Sequence, residues 1–101
     1  MSIFRKAKLA ALVCVLPAVA SAEDAIPSYV SSCVSCHSAD GNPLVAGVPI
    51  LAGQRADYLE SALKAYRGKR RIGGGADVMW NYAKDLSDSD IQEIAKWFSE
   101  N

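Results

Sequence analysis

Two cysteines and a histidine stand within five residues, as Cys33-Val34-Ser35-Cys36-His37, and His37 is the chain's one histidine. On one helical turn, residues three apart project to the same side, so both thiols and the adjoining imidazole can address a single object. Size explains why such a holding point is needed. A chain this short makes one domain that buries only about 60% of its unfolded surface, and it commonly requires disulfides, a metal or a cofactor.

The N-terminus reads as an address. Arg5, Lys6 and Lys8 form a positive stretch, an apolar run from Leu9 to Leu16 follows, and Ala20-Ser21-Ala22 fits the small-residue cleavage pattern of a secretory signal peptide. The apolar run falls short of the roughly 20 residues that span a bilayer. Residues 1–22 are therefore expected to be cleaved, taking Cys14 with them, and residues 23–101 to form the mature domain with no membrane span. Cleavage removes three of the eleven basic residues and none of the eleven acidic ones. The mature domain then carries a formal charge of about −3, which argues against nucleic acid as a partner. It retains two cysteines, too few for a secreted disulfide framework.

Ile26, Tyr29, Val30, Cys33 and Val34 fall at i, i+3, i+4, i+7 and i+8, predicting a helix from Ile26 with Pro27 in its first turn. Ser38 to Gly53, with three glycines and two prolines, reads as an irregular loop. A second helix is predicted over Arg55–Arg67, with Tyr58, Leu59, Ala62, Leu63 and Tyr66 inward and Gly68 ending it. Lys69 to Leu86 contains Gly73-Gly74-Gly75 and reads as a turning strap carrying Met79. The last helix has the strongest local signal. Ser87 stands at its N-cap, Asp90 lies three residues on, Leu86 and Ile91 can form a hydrophobic staple, and Ile91, Ile94, Ala95 and Phe98 make a buried stripe with Trp97 beside it. The expected fold class is all-α, with three main helices and two long loops. Loops of that length in a compact domain are usually functional, and here they read as walls around something that is not protein.

Cys33, Cys36 and His37 form C-x-x-C-H, the attachment signature of c-type haem. Two thioether bonds would anchor one covalently attached haem c, with His37 as a ligand of its iron. Three other readings compete. A thioredoxin-like redox pair would want a βαβ context that is absent, a zinc site would need a second pair of ligands, and a structural disulfide leaves the long loops unexplained. Met79 is the only methionine of the mature domain. Methionine more often fills a core than binds a metal. A haem needing a distal ligand in a chain without a second histidine reverses that, and makes Met79 the expected sixth ligand.

These residues resemble the class I cytochromes c, and among them the small bacterial periplasmic mono-haem proteins that also occur as halves of tandem two-haem cytochromes. The resemblance spans about Pro27 to Ser99. It rests on the haem motif, on Ala39-Asp40-Gly41-Asn42, on Pro49-Ile50-Leu51-Ala52-Gly53-Gln54, and on Met79 followed by Ala83 and Leu86-Ser87-Asp88. It implies that Pro49 offers its backbone carbonyl to the second ring nitrogen of His37, and that the first and last helices pack. The triple glycine before Met79 and Trp80 directly after it depart from the family pattern.

A haem ligated by protein on both sides leaves no open position for a substrate. The expected function is one-electron transfer in the periplasm by a non-enzymatic carrier. The alternative is a cytochrome subunit, or dedicated electron acceptor, of a specific periplasmic dehydrogenase. Partners are expected to be redox proteins whose identity the sequence does not name, and a monomer is compatible with it. Lys69, Arg70 and Arg71, with Arg67 one turn earlier, form the only basic cluster, readable as a solvated face, a docking patch or a contact with the haem propionates.

Overall fold

The computed structural model describes residues 10–15 and 26–101. The expected signal peptide lies, apart from residues 10–15, outside them. No helix among the described residues is long and apolar enough to cross a membrane.

Four helices follow one another: α1 Ser31–His37, α2 Ala56–Arg67, α3 Ala76–Ala83 and α4 Asp88–Ser99. The all-α class holds, with one helix more than expected. The first helix also begins later than its apolar spacing suggests. Val30 and Ser31 donate to the carbonyls of Pro27 and Ser28 at 3.0 and 3.3 Å, so the segment enters through tight i to i+3 turns and becomes α-helical only at Ser31. Ile26, the first position of the predicted stripe, is exposed, whereas Val30 is fully buried.

The additional helix, α3, lies inside the supposed strap. Ala76, Met79, Trp80 and Ala83 are spaced i, i+3, i+4, i+7. Ala76 and Ala83 are buried, Met79 and Trp80 are half-buried, and Asp77, Val78, Asn81 and Tyr82 are exposed. Two of the four inward residues are alanines, so the stripe is faint to a reading by hydrophobicity, and the glycines just before it suggest irregular chain.

The end of α2 also differs in detail. Arg70 N–H donates to Ala65 O at 2.9 Å and Lys69 N–H to Tyr66 O at 3.0 Å, the paired bonds of a Schellman motif. The left-handed residue of that motif is Lys69, at φ +55, while Gly68 stays at φ −86. The last helix matches its sequence signal. Ser87 Oγ accepts from Asp90 N–H at 3.0 Å, and Asp90 Oδ2 accepts from Ser87 N–H at 3.0 Å.

Val30, Leu59, Ile94, Ala95 and Phe98 form the core, so the segment leading into α1 packs with α2 and α4. Cys33, Val34, Leu51 and Trp97 lean on this cluster. The long loop after α1 is pinned at several points. Leu51 and Ala52 both donate to Gly41 O, at 2.9 and 3.1 Å, Gly53 N–H donates to Phe98 O at 3.0 Å, and Trp97 Nε1 donates to Ala39 O at 2.7 Å. Gly41 sits at φ +78, where an added Cβ would lie 2.5 Å from the backbone nitrogen of Ala52, so close approach and backbone sign both require glycine.

Candidate functional site

Between the end of α1, the long loop and the inner faces of α2, α3 and α4 lies a cavity of about 300 Å³. That is within the range of small-molecule and cofactor sites. Cys33, Cys36, His37, Pro49 and Met79 all border it. Leu59, Leu63, Ile94 and Phe98 give it an apolar wall. Tyr58, Tyr66, Tyr82, Gln54 and Arg71 also line it. Of these, Tyr58 and Tyr66 carry a sequence signal in the inward helical spacing along α2, Arg71 in the basic cluster and Gln54 in the loop over residues 49–54, whereas Tyr82 carries none.

His37 is the last residue of α1 and is buried, with 7% of its surface exposed. The chain reverses immediately afterwards. Ser38 takes φ +64 with ψ 159, a backbone state that side chains rarely adopt, while its N–H closes the helix on Val34 O at 2.9 Å. His37 Nδ1 lies 2.9 Å from Pro49 O. A carbonyl oxygen can only accept, so the ring proton is on Nδ1 and the Nε2 lone pair is left free for a metal.

The thiols are differently placed. Cys33 is half-buried and Cys36 exposed, and both are free. Burial pushes the Cys33 thiol pKa up, against a smaller lowering by the Ser32 side chain. The zinc reading finds no support, since no cluster of three or more His, Cys, Asp or Glu suited to a metal occurs among the described residues. An apolar cavity with two unpaired thiols, a basic imidazole nitrogen and a thioether on its walls fits a flat, apolar, iron-bearing macrocycle. Every one of those donors belongs to haem c chemistry.

The basic cluster is divided among separate tasks. Arg67 donates to Leu86 O at 2.9 Å and pairs with Asp88 at 2.7 Å, joining α2 to the start of α4. The Arg71 guanidinium lies 4.9 Å from the centre of the Tyr66 ring, and Lys69 Nζ lies 5.8 Å from that of Trp80.

Residues 26–100 match the family profile described as Cytochrome c, and the chain belongs to that family. It is an electron-transfer protein of the small class I type that carries haem c covalently at its single C-x-x-C-H motif. Over 70 residues it is 49% identical to cytochrome c-554(548) of Halomonas halodenitrificans, covering 69% of this chain and 84% of that protein. Cytochrome c-553 of Nitratidesulfovibrio vulgaris is 38% identical over 81 residues, covering 79% and 78%. A thiosulfate dehydrogenase electron acceptor from Stutzerimonas stutzeri is 37% identical over 70 residues, or 69% of this chain, but the match spans only 32% of that longer protein.

Proposed function

We propose that the chain, after loss of residues 1–22, is a periplasmic carrier that takes and gives one electron at a haem iron held between His37 and Met79. The observation that carries this reading is the cavity itself: His37 and Met79 border one apolar space, with Cys33 and Cys36 at its edge. The haem supplies the redox couple, iron cycling between ferrous and ferric states.

The protein's own residues do the rest. Cys33 and Cys36 fix the group by thioether bonds, so it cannot leave on oxidation or reduction. His37 would bind the iron through Nε2 while Pro49 O holds its Nδ1 proton, which sets the ring's orientation and strengthens its donation to the metal. Met79 offers a soft, neutral sulfur that favours ferrous iron and so raises the potential relative to a second histidine. The apolar wall of Leu59, Leu63, Ile94 and Phe98 keeps water from the iron. With His37 and Met79 both given to the iron, the chain would leave no place to bind a substrate at the metal.

The test is extraction of the purified mature protein with acidified acetone. Haem should stay with the polypeptide in the wild type, and Cys33→Ser or Cys36→Ser should weaken its retention. Free extraction from the wild type would refute the thioether assignment. A second reading, a dedicated acceptor for one dehydrogenase, is favoured by the similarity to the thiosulfate dehydrogenase electron acceptor. Stable co-purification with one such enzyme would select it over a freely diffusing carrier.

A further inference from the structure

We propose that Trp80 is a positioning residue for Met79: its indole N–H bond to Arg71 O is a latch that holds α3 with the methionine sulfur toward the cavity. The inference rests on Met79 as axial ligand, as proposed above.

Met79 and Trp80 are neighbours on a helix, about 100° apart, so fixing the direction of one fixes the other. α3 packs along α2, but the side chains it buries are small and hold its roll weakly. Its buried inward contacts are the methyl groups of Ala76 and Ala83, at 4% and 0% exposure. The segment leading into it, Gly73-Gly74-Gly75, has φ values of +83, +54 and +82, and a Cβ built on any of the three would meet nothing within 4 Å. An unpacked run of glycines has the greatest backbone freedom a chain can have and transmits no orientation.

Trp80 Nε1 donates to Arg71 O at 2.8 Å across that run. Among the described residues it is the only side-chain hydrogen bond made by α3. Lys69 Nζ stands over the same ring, and Arg71 is itself placed on Tyr66 of α2, so the latch fastens to a segment that α2 already holds. The far end of α3 is secured separately, where Leu86 N–H bonds Ala83 O and Arg67 bonds Leu86 O. The latch therefore governs the half of the helix that carries Met79.

Imidazole competes with a thioether for ferric iron, so its apparent Kd in the oxidised holoprotein reads how firmly Met79 is held. Trp80→Phe keeps an aromatic ring under Lys69 and deletes the donor. It should bind imidazole about two- to tenfold more tightly than wild type, the range that one net hydrogen bond supports. An unchanged Kd in a variant that retains covalent haem overturns the latch.

A second measurement needs no substitution. Saturating the wild type with imidazole should expose the Trp80 indole N–H to fast solvent exchange, while the Trp97 indole, bonded to Ala39 O at 2.7 Å, stays protected. Equal protection of Trp80 with and without imidazole overturns the proposal. If the wild type binds imidazole as tightly as Met79→Ala, the assignment of Met79 fails, and the role of Trp80 falls with it.

Discussion

His37 donates its Nδ1 proton to the backbone carbonyl of Pro49 over 2.9 Å, joining the last residue of α1 to a loop twelve positions further on. The carbonyl cannot be deleted by substitution, but the rigidity that aims it can. Pro49→Ala should cost about 0.5–1 kcal/mol through the freer unfolded chain. It should also raise the midpoint potential, because a looser bond makes the imidazole a poorer electron donor to ferric iron. Voltammetry of the holoprotein reads the shift, and a lower potential would contradict the argument.

The ligand opposite His37 is tested by exchange. Met79→His should lower the midpoint potential with the haem still attached, since a second imidazole favours the ferric state relative to a thioether. Met79→Ala should open the iron, so that the reduced protein binds carbon monoxide while the wild type binds it poorly. A Met79→Ala protein with an unaltered potential would remove Met79 from the site.

Backbone sign separates three substitutions. Gly41→Ala meets both a left-handed φ and the Ala52 backbone, and should destabilise by about 2 kcal/mol or more. Gly74→Ala meets the φ alone, in open space, and should cost about 1 kcal/mol or less. Ser38→Gly relieves a rarely adopted conformation and should stabilise by up to about 1 kcal/mol. Denaturant midpoints would rank the three, and Gly74→Ala falling below Gly41→Ala would defeat the reasoning.

Acid should weaken the join between α2 and α4. The Arg67 hydrogen bond, then its charge and that of Lys64, hold the Asp88 carboxyl below its ordinary 3.8. A carboxyl with a lowered folded pKa contributes stability above its unfolded pKa and loses that contribution as pH falls through the folded value. Asp88→Asn should therefore lower the melting temperature at pH 7, and the gap to wild type should close as pH falls through the lowered folded pKa. Asp88 is exposed, so added salt should narrow the gap at pH 7 as well.

How far the sequence discloses this structure depends on whether a feature is local. The start of α4 is legible because Ser87 and Asp90 satisfy each other within one turn. The haem motif is legible because thiol spacing and histidine are contiguous. By contrast, α3 hides behind its glycines, since Ala76 and Ala83 pack well while scoring weakly as hydrophobic residues. The entry to α1 has helical spacing, but i to i+3 turns satisfy Pro27 and Ser28 before the helix begins. The left-handed Lys69 beside an available glycine has no sequence signal, because Gly68 is the residue that ordinary preference selects. Bonds such as Trp80 to Arg71 and Trp97 to Ala39 join a side chain to a backbone carbonyl, and any residue supplies that acceptor. Nothing in its identity reveals the pairing.

The bond between Trp97 and Ala39 joins positions 58 apart, and with Gly53 N–H on Phe98 O it is how the last helix grips the segment after the haem motif. Closure over such a distance waits until the C-terminal residues are present and folded. A chain delivered N-terminus first therefore presents Cys33 and Cys36 early, on a turn that nothing nearby in sequence covers. That order gives Cys33 an interval of open access before Ile94, Ala95 and Phe98 of α4 complete the cluster it leans on, whereas Cys36 stays exposed in the folded chain.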